Sequence, residues 1–77
     1  MIREEVFKVV SNIINVPLQE VNEDSSTDTL AQWDSLRHIS LILALEEKFM
    51  VQFREDQIID MFNVKSIILT VEELKKV

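Results

Sequence analysis

Apolar residues recur at helical spacing along much of this chain, and the stretches between them read as turns. Ile2, Val6, Val9, Val10 and Ile13 share one side of a helix running from Ile2 to Ile14, with Phe7 and Ile14 widening the stripe. The β-branched content would also suit a strand, but a 3.6-residue period held across the whole segment outweighs that preference. Glu4 and Glu5 stand in the first turn, where negative charge suits the helix dipole. Asn15 offers a left-handed stop, and Pro17 follows where a helix cannot continue.

A second helix opens at Trp33-Asp34-Ser35-Leu36 and continues from Arg37 to Met50. Asp34 and Ser35 are both good caps, because a short side-chain oxygen can accept from the first unpaired backbone N–H groups. The helix carries more apolar surface than one core-facing stripe needs. At about 100° per residue the surplus separates into two groups. Leu41, Ile42, Leu45 and Phe49 form one stripe, with His38 among them; Leu36, Ile39, Leu43 and Met50 form another, on the same side as Ser35. Arg37, Ser40, Ala44 and Lys48 take the remaining arc, and Glu46 and Glu47 flank the second stripe. The first stripe is read as core and the second as a docking or cargo face. A helix central in its bundle, with both stripes buried, is the alternative.

Between these helices, Val16 to Trp33 has no sustained period and is rich in Asn, Asp, Ser and Thr, which predicts a long loop pinned by Leu18, Val21 and Leu30. Glu55 to Phe62 predicts a brief third helix through Ile58, Ile59, Met61 and Phe62. Asn63 then caps a last helix from Val64 to Lys76, with Val64, Ile67, Ile68, Val71 and Leu74 on one face. The expected fold is all-α: a small bundle of three longer helices and one short one, with a long loop between helices 1 and 2, as a single domain over residues 1–77.

Composition narrows the function. The chain has 77 residues, no cysteine, no glycine and a formal net charge of −6. A chain this small buries only about 60% of its unfolded surface, so a deep enclosed active site is hard to build. Without cysteine there is no disulfide, thiolate metal site or protein-borne nucleophilic thiol; any sulfur chemistry must come from an attached group. Without glycine the phosphate-cradling loops of nucleotide-binding folds are excluded. The acidity argues against nucleic acid and favours basic partner surfaces. No apolar run approaches a membrane span and the N-terminus does not read as a secretory signal, so a cytoplasmic monomer is expected.

Candidate chemistry concentrates at Ser35. Asp34, Ser35 and His38 are the residue types of a hydrolase triad, but Asp34 adjoins the serine in sequence and is poorly placed to orient the imidazole, so no catalytic residue is assigned. Asp24, Ser26 and Asp28 hint at a calcium loop; Thr29 stands where that loop needs glycine and Ser35 where it needs glutamate, so no metal is expected. A hydroxyl at a helix N-terminus suits a covalently attached phosphate, which the unpaired N–H groups and dipole stabilise by about 0.3–1 kcal/mol. That permits a phosphodiester at Ser35 without demanding one, and a serine that merely caps its helix stays open.

The whole chain resembles an acyl carrier protein. Asp34-Ser35-Leu36 matches that family's Asp-Ser-Leu motif, and Ala44-Leu45-Glu46-Glu47-Lys48-Phe49 is similar to the segment that follows it. Glu20-Val21, Leu30 and Val64 fit as well, while Gln32 stands where the family often has glycine. The resemblance implies a four-helix bundle and a non-enzymatic phosphoprotein. Ser35 would receive a 4′-phosphopantetheine arm from coenzyme A through a phosphopantetheinyl transferase, with Asp34 part of the motif, and the arm would hold acyl groups as thioesters. It also implies that Leu36, Ile39 and Leu43, with Glu46 and Glu47, face acyl-loading, acyl-transferring or condensing enzymes with basic docking surfaces. Arg37, His38 and Ser40 replace residues often acidic or neutral in fatty-acid-synthesis carriers, so fatty acid, polyketide and other specialised acyl biosynthesis all stay open. An aminoacyl or peptidyl carrier and an unmodified helical adaptor are the alternatives.

Overall fold

A computed structural model describes residues 2–75. It contains α1 (Ile2–Ile14), α2 (Ser35–Phe49), α3 (Glu55–Asp60) and α4 (Val64–Lys75), with a single 3-10 turn at Leu18–Glu20. Among the described residues there is no strand beyond one isolated bridge between Ser26 and Asn63. None of these helices is long and apolar enough to cross a membrane. The all-α bundle expected from the periodicity is the fold observed.

The core forms where α1 lies against both α2 and α4. Val6, Val10 and Ile14 of α1 meet Leu41, Ile42, Leu45 and Phe49 of α2 and Val64, Ile67, Ile68 and Val71 of α4, all buried. These sets repeat at i, i+3 or i, i+4, the spacing that brings side chains onto one helix face. Ile14, read as the fringe of its stripe, is fully buried, whereas Ile13 is only partly so.

Helix ends are closed by specific groups. Asn15 takes the left-handed conformation expected of it, at φ 64°, and both its N–H and that of Val16 donate to the Ser11 carbonyl. Asn63 Oδ1 accepts from the Ser66 N–H at 2.7 Å, the cap read from the sequence. The long loop also serves α4: the N–H groups of Val64 and Lys65 donate to the Ser25 and Glu23 carbonyls. Two cations close carbonyl ends elsewhere. Arg37 Nη1 donates to the Ile13 carbonyl at 3.0 Å, and Lys75 Nζ donates to the Phe49 carbonyl at 3.1 Å.

Four expectations need correction. Met50 is not helical: it closes α2 in the left-handed region at φ 57° and is exposed. Leu18 does not pin the loop, because the 3-10 turn carries it to the surface, while Val21 sinks into the core and Leu30 packs half-buried against it. α3 stops at Asp60 rather than Phe62: the Met61 N–H bonds back to the Ile58 carbonyl, and Met61 drops into the core. The predicted last residue of α4, Lys76, lies outside the described residues; α4 is described to Lys75.

Candidate functional site

At the head of α2 the sequence offers two capping residues, and the structure uses one. Asp34 is the N-cap: its backbone is extended, and its Oδ1 accepts from the Arg37 N–H at 2.9 Å. Ser35 is therefore the first helical residue. It is exposed, and its hydroxyl has no hydrogen-bond partner among the described residues. The N–H groups of Ser35 and Leu36 are likewise without protein partners among the described residues, as the first turn of a helix leaves them. A nucleophilic oxygen and two outward N–H groups thus share the positive end of a 15-residue helix.

One turn further along α2 lies a buried cluster around His38. His38, 5% exposed, is held between two partners: Trp33 Nε1–H donates to its Nδ1 at 3.0 Å, and its Nε2 lies 3.1 Å from the Ile58 carbonyl oxygen. An indole N–H can only donate and a carbonyl can only accept, so the ring is neutral and carries its proton on Nε2. Phe62 stacks on the ring with centroids 4.5 Å apart. Both imidazole nitrogens are engaged away from Ser35, and the Asp34 carboxylate is engaged with its own helix. The three residue types of a hydrolase triad are adjacent here without the relay that would make them one. The Trp33–His38 pairing could have been suspected from their i, i+5 spacing across a helix start; the contact with Ile58 has no sequence signal.

Along α2 the two stripes part as read. His38, Leu41, Ile42, Leu45 and Phe49 are buried, while Leu36, Ile39 and Leu43 are 76%, 59% and 61% exposed. The cations of the helix do not join this exposed face. Arg37 reaches to α1, and Lys48 pairs with Glu5 of α1 at 2.8 Å. Glu47 is exposed. Glu46 is partly committed elsewhere: its Oε2 accepts from the Phe53 N–H at 2.8 Å and fixes the turn after α2. No group of acidic, histidine or cysteine side chains among the described residues could hold a metal ion.

A helical bundle that presents one free hydroxyl beside an apolar, acidic face has the form of a carrier domain. No family model matches the chain. It is 41% identical over 54 residues to an acyl carrier protein of Sulfurovum sp. (strain NBC37-1), an alignment covering 70% of this chain and 72% of that one. It is 32% identical over 73 residues to an acyl carrier protein of Campylobacter hominis, covering 95% of this chain and 92% of that one. The chain belongs to the acyl carrier protein family, and its role is that of a carrier and not of an enzyme.

Proposed function

We propose that Ser35 is the attachment point of a 4′-phosphopantetheine arm, and that the protein presents acyl groups on it to biosynthetic enzymes of fatty-acid, polyketide or related specialised acyl pathways. The observation that carries this reading is the division of labour at the head of α2. Because Asp34 caps the helix, Ser35 is not needed for capping, and its hydroxyl is left exposed and unpartnered among the described residues. The residues fit the group: a phosphodiester on Ser35 Oγ would meet the N–H groups of Ser35 and Leu36 at the helix N-terminus, with no carboxylate turned against it except the capping Asp34. When bound, the arm supplies the thiol that this cysteine-free chain lacks and so the thioester link to cargo.

The protein's own part is placement. Leu36, Ile39 and Leu43 give a partner enzyme an apolar stripe beginning at the attachment residue, and Glu47, with the uncommitted oxygen of Glu46, gives basic side chains something to meet. Turning Arg37 and Lys48 toward α1 keeps that face free of positive charge.

Intact-protein mass spectrometry tests the reading. The chain is incubated with coenzyme A, magnesium and a broad-specificity phosphopantetheinyl transferase beside Ser35→Ala. One added phosphopantetheine is expected, absent in the variant. A folded chain that gains no mass while a control carrier does would overturn it in favour of an unmodified adaptor that uses the same apolar face.

A further inference from the structure

On the reading of Ser35 as the attachment point, its hydroxyl has to be kept from a second task for which it is equally suited. Aspartate and serine are N-caps of about the same strength, so α2 has two adjacent starts available to it. With Asp34 as the cap, the Arg37 N–H donates to Asp34 Oδ1 at 2.9 Å and the His38 N–H to the Asp34 carbonyl at 2.8 Å. With the start moved one residue on, Ser35 would take an extended backbone and its Oγ would accept from the His38 N–H, three residues along. A serine so engaged is no longer an exposed, unpartnered hydroxyl. The caps alone do not choose between these starts.

Trp33 does choose. In the observed start it is the residue before the cap and His38 is the fourth of the helix, the two positions whose side chains pack across a helix start and fix the angle at which the chain enters. Here the clasp is polar: Trp33 Nε1–H donates to His38 Nδ1 at 3.0 Å, with the indole only 2% exposed. The other imidazole nitrogen, 3.1 Å from the Ile58 carbonyl oxygen, fixes the tautomer that makes Nδ1 the acceptor. The Trp33 backbone is held as well, its N–H donating to the Leu30 carbonyl at 3.0 Å. Moving the start to Ser35 unwinds that residue, swings the preceding chain and takes Trp33 out of reach of His38. From this arrangement we infer that Trp33 and His38 are positioning residues: their hydrogen bond selects Asp34 over Ser35 as the cap of α2 and so leaves the Ser35 hydroxyl free for modification. A buried bond of this kind favours its own start by about tenfold, and without it the two starts are about equally populated.

Nuclear magnetic resonance on the unmodified protein reads the start directly, because the Cα and Cβ shifts of Ser35 separate a helical residue from an extended one. Three variants divide the contacts: Trp33→Phe keeps an aromatic ring and loses the N–H; His38→Asn puts an amide oxygen in the place of Nδ1; His38→Gln reaches toward Ile58 but not Trp33. The Ser35 shifts should move about halfway to extended values in Trp33→Phe and His38→Gln and stay helical in His38→Asn. That order is the reverse of helix propensity, in which glutamine outranks asparagine. Ser35 helical in all three, His38→Asn moving as far as His38→Gln, or α1 and α4 signals shifting along with Ser35 overturns the inference. Kinetics of arm attachment by the transferase give the second readout. A start populated half the time halves the competent protein, so Trp33→Phe and His38→Gln should raise the KM for this chain about twofold at unchanged kcat, with His38→Asn matching the wild type. Equal KM in all four proteins, or a loss confined to kcat, also overturns it. Failure of the arm reading would show separately, as a wild-type chain that never gains the mass of the arm, and would leave the resonance result standing.

Discussion

α4 turns Val64, Ile67, Ile68 and Val71 into the core, whereas α3, immediately before it in the chain, buries none of its side chains. The first is held by apolar area removed from water, a non-directional force shared among many contacts. The second packs one apolar side chain, the half-buried Ile58, against that core and otherwise relies on directional bonds: Gln57 Oε1 accepting from the Arg54 N–H at 2.9 Å, Arg54 paired with Asp56, and His38 on the Ile58 carbonyl. The difference teaches where the molecule can move. Area burial fails all at once, so α1, α2 and α4 should open only with the whole protein, while α3 can detach by losing very few interactions.

The largest break in that comparison comes from a cavity in the scaffold. Ile67 is fully buried, so Ile67→Ala should cost about 2–5 kcal/mol in urea unfolding. That is a large part of the total for a chain of this size, on the order of 5–10 kcal/mol. The matching truncation in α3, Ile59→Ala, removes an exposed side chain and should change global stability by no more than about 0.5 kcal/mol. An Ile59→Ala cost as large as that of Ile67→Ala would mean that α3 belongs to the cooperative core.

A smaller effect sharpens the boundary between the two regions. Asn63 ends the α3–α4 connection and caps α4, and it lies opposite Ser26 in the isolated bridge, whose bonds run from the Thr27 N–H to the Phe62 carbonyl and from the Val64 N–H to the Ser25 carbonyl. Asn63→Ala should lower urea stability by about 1 kcal/mol through the lost cap. The loss should appear in the global transition, because the cap serves the scaffold helix; an effect confined to α3 amides would move the boundary past Asn63.

Which parts were legible in the sequence follows the same divide. The limits of α1, the starts of α2 and α4 and the split of α2 into buried and exposed stripes came from periodicity and caps, both local signals strong enough to survive folding. Ser35 and the exposed Leu36, Ile39 and Leu43 were legible for that reason: they are what the core period leaves over. The end of α3 was not, because it depends on His38, 20 residues away, bonding to Ile58 while Phe62 folds onto its ring. The turning of Arg37 and Lys48 toward α1 was hidden likewise, since a cation's distant partner leaves no mark on its own neighbourhood.

The smallest expected effects lie in two ion pairs, one from each region. The hydrogen bond and charge of Lys48 hold the Glu5 carboxyl below the usual carboxylate range, and the hydrogen bond from Arg54 does the same for Asp56. A carboxyl depressed in the folded state adds stability above its ordinary range, and that contribution is lost as pH falls through the lowered value. Both pairs are at the surface, where such contributions are slight and screened by salt. Their reach should still differ. Glu5–Lys48 joins α1 to α2, so Glu5→Gln should lower the melting temperature slightly at neutral pH, with the gap closing in acid and in high salt. Arg54–Asp56 is local to the start of α3, so Asp56→Asn should leave the melting temperature unchanged and speed hydrogen exchange only in α3. A Glu5→Gln gap that widens in acid would contradict the sign of the first pair, and an Asp56→Asn effect on global melting would show that α3 is bound to the scaffold more tightly than its few bonds imply.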